Sequence, residues 1–397
     1  MEFPGGCVPF TSSLNFQGGM SSPLPTMPCY RTIDSTGMDI VGGDIHQIPD
    51  DLSKDTAIKM YKTMVALQTV DTIFYEAQRQ GRFSFYMTSS GEEATAIGSA
   101  AALTNDDVIF SQYREQGVLM YRGFTIQEMA DQCYGTDQDP GKGRQMPIHY
   151  GSKPLNFHTI SSPLATQLPH AVGAAYAMKL DKRPAVSVAY FGEGAASEGD
   201  FHAALNFAAT LSCPTLFICR NNGWAISTPA SEQYRGDGIA GRGPSYGIAT
   251  VRVDGGDARA VYIATREARR LALQHSAPVL IEAMSYRSGH HSTSDDSSRY
   301  RATEEMRAWR ARDPVARFQK WIMSRQWWDE TEEAHYRAST RREVLQSLDK
   351  ASRKPKPGLS DMFTDVYDVM PSHLREQQQE VIEHVRRHPD ALPGIGT

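Results

Sequence analysis

Apolar and polar positions change their spacing several times along the chain, and each change marks an element. From Asp55 to about Gln80 apolar residues recur at helical spacing (Ile58, Tyr61, Val65, Leu67, Phe74, Ala77) after an acidic, Ser-containing start at Asp50 to Ser53, which predicts a long first helix. "AVSVAYFG" (185–192), "PTLFICR" (214–220) and "PVLIEAMSYR" (278–287) are short apolar runs that read as buried strands. Between them, "EGDFHAALNFAATL" (198–211) and "DARAVYIATREARRLALQHS" (257–276) carry helical spacing. Strand and helix in turn predict an α/β fold, a parallel sheet flanked by helices. Residues 1–50, rich in Gly, Pro, Ser and Thr with little periodicity, read as an extended arm that lies in solvent or on a partner. Residues 51–301 form the α/β domain, and the charged residues 302–397, broken by "RKPKPG" (353–358), read as a helical extension.

Composition narrows the function classes. With 397 residues, 40% of them hydrophobic and 22% charged, the chain can bury a large core. Its net charge of -5, without a polybasic tract, argues against a nucleic-acid or anionic-membrane partner, and no apolar run approaches a membrane span. Five cysteines with no C-x-x-C pair argue against a disulfide framework or a zinc site, and favour a reducing compartment. The first basic residue is Arg31, so no signal peptide or Arg-rich transit peptide is visible in this sequence.

The chemistry concentrates in "FGEGAASEGD" (191–200), where Glu193 sits between Gly192 and Gly194 just past a predicted strand. Ligands of open parallel sheets bind beyond the carboxyl ends of the strands. Flanking glycines leave room for phosphate oxygens and allow unusual dihedrals, and the N–H groups of a following helix start point the same way. Phosphate alone would be repelled by Glu193, but a divalent cation between them resolves the conflict. The next predicted strand ends in "RNNGWAIS" (220–227), which supplies Asn222 as a second oxygen ligand and Arg220 for phosphate charge. Taken singly, each motif reads as a helix cap or a turn. Together, at neighbouring strand ends, they read as a metal-diphosphate site.

G-[D/E]-G followed about thirty residues later by N-N is the thiamin diphosphate-binding motif. The run "FGEGAASEGDFHAALNFAATLSCPTLFICRNNGWAISTP" resembles the α subunit of the branched-chain 2-oxoacid dehydrogenase E1 component. The resemblance continues through "FSFYMTSSGEEAT" (83–95), "SQYREQGVLMYRG" (111–123), "GKGRQMPIHYG" (141–151), "SSPLATQLPHAVGAAYA" (161–177) and "YRSGHHSTSDDSSRYR" (286–301). The pyruvate dehydrogenase α subunit is the nearest alternative, but "GEGAASEG" and "HHST" stand where it has G-D-G-A-A-N-Q-G and H-G-H-S.

The resemblance implies that Glu193, Asn222 and the backbone carbonyl of Trp224 hold Mg²⁺, with Trp224 standing where the family usually has Tyr. It implies cofactor contacts from Gln112, Tyr113, Arg114, Ser162, Leu164, Gly192, Gly194, Ala195, Arg220 and Ile226, with Leu164 supporting the bent cofactor. It places a K⁺ site at Ser161, Pro163, Thr166 and Gln167; read from the residues alone, "SSPLATQ" is a helix start with a Ser cap. "GHHSTSDDSS" (289–298), poor in large apolar residues, predicts a mobile loop. The resemblance makes His291 the catalytic histidine and Ser292 a site of inhibitory phosphorylation, while the family's second phosphoserine aligns with Ala302. His290 receives no role.

The activity so implied is thiamin diphosphate-dependent oxidative decarboxylation of branched-chain 2-oxo acids, with transfer of the acyl group to a lipoyl arm. The implied partners are a β subunit in an α₂β₂ heterotetramer, which supplies the glutamate facing the pyrimidine, a lipoyl-bearing E2 core, and a regulatory kinase and phosphatase. A mitochondrial matrix location follows from the regulated loop, with a bacterial cytoplasm as the alternative. A non-catalytic assembly paralogue is the other function class, against which the joint presence of Glu193, Asn222, Arg114, Arg220 and His291 argues.

Overall fold

In this computed structural model residues 26–40 and 52–388 are described, together with residues 2, 3, 6, 7, 12 and 390, so most of the predicted arm lies outside the described residues. A short antiparallel pair joins β1 (Glu2–Phe3) to β2 (Gly6–Cys7), and six strands form one parallel sheet. These are β3 (Cys29–Tyr30), β4 (Val108–Phe110), β5 (Ser187–Gly192), β6 (Thr215–Asn221), β9 (Ala249–Asp254) and β10 (Val279–Met284). Their order across the sheet is β3-β9-β10-β6-β5-β4. A tight hairpin of β7 (Trp224–Ala225) and β8 (Thr228–Pro229) follows β6.

Alternation along the central strands explains why they read as unbroken apolar runs. Val188 and Tyr190 of β5, with Leu216 and Ile218 of β6, face one core, whereas Ala189, Phe191, Phe217 and Cys219 face the other. Both faces are therefore dry, and a fully buried ring such as Phe217 contributes about 1.5–3 kcal/mol.

The first face is covered by α1 (Lys54–Arg79), α2 (Glu93–Ala101), α3 (Gln116–Tyr121), α4 (Ile126–Tyr134) and α8 (Ala258–His275). The second is covered by α5 (Gln167–Leu180) and α6 (Gly199–Thr210). Helix α1 begins where the sequence indicates, with Ser53 Oγ accepting from the Thr56 N–H. Helix α5 does not begin on a Ser cap: Thr166 is its N-cap, and the Thr166 hydroxyl donates to the Pro163 carbonyl at 3.1 Å instead.

After a four-residue turn, α7 (Ala230–Gln233), the chain continues through α9 (Thr303–Arg310), α10 (Pro314–Ser324), α11 (Glu330–Ser352) and α12 (Ser372–Arg387). Helices α10 and α11 are structural members of the core, since Phe318, Trp321, Val344 and Leu348 are buried in it. Residues 26–40, part of the predicted arm, lie on the chain's own sheet. Strand β3 extends the edge, Ile33 is buried, and the Asp257 carboxylate accepts from the N–H groups of Thr32 and Ile33.

Candidate functional site

The carboxyl ends of β4, β5, β6 and β10 feed four loops toward one place, and their polar residues are buried there together. Three carboxylates and three guanidinium groups meet: Glu92, Glu115 and Glu193 with Arg114, Arg220 and Arg287, all at most 2% exposed. Such a cluster persists only if each charge finds a partner.

Glu115 organises the loop after β4. One carboxylate oxygen accepts from the Ser111 hydroxyl at 2.6 Å and from the Gln112 N–H at 3.0 Å, while the other is paired with Arg220. The same residue caps α3, so Gln112, Tyr113 and Arg114 are pinned between strand end and helix start. The Gln112 side chain then accepts from the Gly192 N–H at 2.7 Å, joining this loop to the next.

Glu92, just before α2, is the counter-ion of the cluster. It lies 3.2 Å from Arg220 and 4.0 Å from Arg114, and accepts from the Asn222 amide at 3.1 Å and the Ser285 hydroxyl at 3.2 Å. Burial pushes its carboxyl up, but the two arginines outweigh burial and hold it below the usual carboxylate range. Burial opposes the charge on Arg220, and Glu115 and Glu92 reverse that and hold it firmly cationic. Arg114 is depressed by burial and by the nearby Arg220 and Arg287, with Glu92 opposing them.

Glu193 differs from its neighbours. One oxygen accepts from the Asn222 N–H at 3.3 Å, and the other, buried, has no hydrogen-bond partner. Burial, with Glu92 close by, raises its pKa. An orphaned carboxylate oxygen beside an amide is a binding valence left open. Asn222 is oriented by its two ends: the amide nitrogen donates to Glu92, and the amide oxygen accepts from the Trp224 N–H at 3.1 Å.

Gly194 acts by size and not by backbone freedom. Gly194 has an ordinary helical conformation (φ -65°), and a Cβ there would meet the Ala225 Cβ at 2.7 Å; at Gly192 the nearest atom is 3.8 Å away. A single 3₁₀ turn, Ala195–Ser197, separates Gly194 from α6, so the helix start facing Glu193 is this turn.

The loop between β10 and α9 closes the site. His291 Nδ1 lies 3.2 Å from an Arg114 nitrogen and 3.1 Å from an Arg287 nitrogen, and its ring stands edge-on to Tyr113. Burial and these two guanidinium groups push the imidazole down to about 3, so it is neutral at pH 7. Both arginines donate to Nδ1, which fixes the remaining proton on Nε2. Although apolar burial is scarce here, polar ties hold the loop. Asp295 accepts from the His291 N–H at 2.7 Å and the Tyr300 hydroxyl at 2.6 Å, and Arg301 donates to the Gly289 carbonyl at 2.6 Å. Trp224 reaches the far end of this segment, its indole N–H donating to Glu305 at 3.1 Å.

A family model described as dehydrogenase E1 component matches residues 61–360. The chain is 54% identical over 394 residues to the Arabidopsis thaliana protein named 2-oxoisovalerate dehydrogenase subunit alpha 2, mitochondrial, covering 99% of this chain and 82% of that protein. Against the Homo sapiens 2-oxoisovalerate dehydrogenase subunit alpha, mitochondrial, it is 53% identical over 393 residues, covering 99% and 87%. Against the Dictyostelium discoideum protein of that name it is 56% identical over 369 residues, covering 92% and 83%. The chain belongs to the dehydrogenase E1 component family.

Membership in the E1 family implies thiamin diphosphate as cofactor, and the parallel sheet with helices on both faces is consistent with the fold that binds it. Of the residues singled out in the sequence, Gln112, Tyr113, Arg114, Gly192, Glu193, Gly194, Ala195, Arg220, Asn222, Trp224 and His291 lie in the four converging loops. Ile226 is on the hairpin turn in a left-handed conformation (φ 57°), half exposed, its carbonyl accepting from Arg287 at 2.9 Å. Ser161, Ser162, Pro163 and Leu164 form an exposed loop, where Ser162 meets His149. Gln167, at the start of α5, donates to the Tyr190 carbonyl at 2.9 Å and leaves its amide oxygen buried without a partner.

Glu92, Glu115 and Arg287 hold this cluster together, and the sequence reading assigned them nothing. Adjacent acids opening the Ala-rich stretch "GEEATAIGSAA" were the available signal, since acids ahead of a buried helix require partners.

Proposed function

We propose that this chain is the α subunit of the E1 decarboxylase of a branched-chain 2-oxoacid dehydrogenase complex, acting on 3-methyl-2-oxobutanoate and its homologues. The observation that carries the reading is the unpartnered Glu193 oxygen beside Asn222, at the ends of adjacent strands and ringed by Arg114, Arg220 and Arg287. The relatives, all named 2-oxoisovalerate dehydrogenase subunit alpha, favour branched-chain 2-oxo acids over pyruvate.

In this reading Glu193, the Asn222 amide oxygen and the Trp224 carbonyl hold Mg²⁺, a donor set of hard oxygens that suits the ion. A backbone ligand leaves the Trp224 side chain free for its bond to Glu305. Arg114 and Arg220 receive the diphosphate, exchanging part of their bond to Glu92 for it. Gln112, Tyr113, Gly192, Gly194, Ala195 and Ile226 shape the rest of the cradle, with Ser162 and Leu164 toward the pyrimidine end. The orphaned Gln167 oxygen fits a K⁺ ligand, completed by Ser161, Pro163 and Thr166. Once bound, thiamin diphosphate supplies the nucleophile and electron sink for decarboxylation. His291, neutral, offers its Nε2 proton at the mouth of the site and so serves the acyl transfer to the lipoyl group.

A β partner completing an α₂β₂ assembly is supported by the outer faces of α5 and α6. Helix α5 is apolar nearly all round, yet Tyr176, Leu180 and Phe207 on these two helices, with Leu211 just past the end of α6, stand exposed. A lipoyl-bearing E2 core, a matrix location, and control by a kinase and phosphatase acting on Ser292 complete the proposal; the relatives' names include "mitochondrial". Residues 51–301 serve as the cofactor-binding domain in this reading and residues 302–397 as its helical extension.

The test is decarboxylation of 3-methyl-2-oxobutanoate against pyruvate by the chain co-expressed with its β partner, with thiamin diphosphate and Mg²⁺, beside a Glu193→Ala control. Branched-chain preference lost in the control is the expected result. Inactivity of both proteins with the heterotetramer intact would replace this reading with the assembly role.

A further inference from the structure

Behind the loop that carries His291 lies a second cavity, of about 750 Å³, bounded by α1, the start of α2, α9 and α11. The loop separates the two spaces. His291 faces the strand ends, whereas His290 and Ser297 line the rear cavity, with His290 Nδ1 accepting from the Ser297 N–H at 3.0 Å. The remaining proton of a neutral His290 therefore sits on Nε2.

Acids lie deep in the cavity and basic groups at its mouth. Glu93 is 0% exposed and Asp71 3%, with the half-buried Asp313 beside them. Among the described residues none of the three is paired with a Lys or Arg. Asp71 accepts from Tyr86 and Ser89, Asp313 from Gln68 and the Ala316 N–H, and Glu93 uses one oxygen for the Gly91 N–H at 2.8 Å. The other Glu93 oxygen, fully buried, has no partner. Arg310 and Arg341 stand exposed at the mouth with Glu76, and Arg337 there is engaged with Glu333. Ile73 and Met306 supply apolar wall.

We propose that this cavity is a binding site for a free amino acid with an apolar side chain, its ammonium group on Glu93 and Asp313 and its carboxylate toward Arg310 and Arg341. An ammonium needs only acceptors in range, whereas a metal ion needs several free ligands, and among the described residues no group of three or more His, Cys, Asp or Glu could hold one. A purely anionic ligand would meet uncompensated acids at depth, and a simple amine would leave the rim guanidinium groups unused. Burial, with Asp313 and Asp71 nearby, holds the Glu93 carboxyl well above its usual range, and an ammonium placed beside it opposes that shift. This site is separate from the cofactor reading above, and its occupant touches the back of the His291 loop.

The experiment is calorimetric titration of the assembled α/β enzyme with L-leucine at pH 7. Expected is saturable binding, and at least about tenfold weaker binding of 4-methylpentanoate and of isopentylamine, each lacking one charged end. Glu93→Gln weakens binding at least about tenfold, and Arg341→Gln, on the exposed rim, weakens it without threatening the fold. Absence of heat up to about 10 mM leucine overturns the proposal, as does unchanged affinity in Arg341→Gln together with unchanged affinity or misfolding of Glu93→Gln. None of these outcomes depends on decarboxylation, so the site and the enzymatic reading fail separately.

Discussion

Acidification is expected to release the His291 loop well before it unfolds the domain. Burial, together with Arg114 and Arg287, holds the imidazole at about 3 in the closed loop, against about 6.5 in an open chain. The closed form therefore stays neutral to about pH 3, while the open form takes up a proton below about 6.5. Because the closed-state value is the lower one, closure has its full strength above about pH 6.5 and loses it progressively as the pH falls toward 3. At pH 5.5 the open state gains a factor of about 11, or roughly 1.4 kcal/mol, an upper figure because the ring keeps some contact with solvent. Asp295 is also held below its usual carboxylate range, by the Tyr300 hydroxyl and the His291 N–H against burial, and so keeps its charge at pH 5.5. Hydrogen exchange of residues 289–298, corrected for the intrinsic pH dependence, would follow the opening from pH 7.5 to about 5.5. His291→Asn should remove the acceleration, since Asn offers an acceptor to the arginines without titrating. The same acceleration in His291→Asn, or none in the unsubstituted protein, would refute the reasoning.

Glu115→Gln leaves Arg220 buried beside Glu92 alone and loosens the Gln112 to Arg114 loop; removing one member of a buried pair costs about 3–5 kcal/mol, read from urea unfolding of the assembled enzyme. Gly194→Ala pushes a methyl against the Ala225 Cβ and should weaken cofactor binding, measured by quenching of tryptophan fluorescence. Unchanged binding would contradict the steric account. Ser292→Glu puts charge next to the Asp295 bond that holds the loop, so reductive acylation of a lipoyl domain should fall by at least about tenfold. Unchanged acylation would remove the loop from the control of activity.

The central strands were legible because each had to be apolar on both faces. Ser187–Gly192 and Val279–Met284 lie within the predicted runs, as do α6 and α8, and Thr215–Asn221 runs one residue past its own. Strand β4 was not, having only three residues, and β9 alternates "TVRVD" with partial exposure, which resembles a loop edge. Helix α2 escaped because burial on every side erased its amphipathic period. In the candidate site, Glu193 and Asn222 were legible because chemistry demanded a second ligand at a neighbouring strand end. Glu92 and Glu115 were not, since their meaning lies in contacts with Arg220 across 128 and 105 residues of chain.

The polar construction of the loop at 289–298 has a thermodynamic corollary. A segment that buries little apolar surface opens with a small change in heat capacity, so its equilibrium varies nearly linearly with temperature and lacks the curved profile of the core beneath it. Cooling should not loosen it, and warming should not tighten it. Protons, salt and added phosphate act directly on the charges that hold it, through Arg114, Arg287 and Asp295. The loop and the domain thus answer to different variables, and one can be switched while the other keeps its stability.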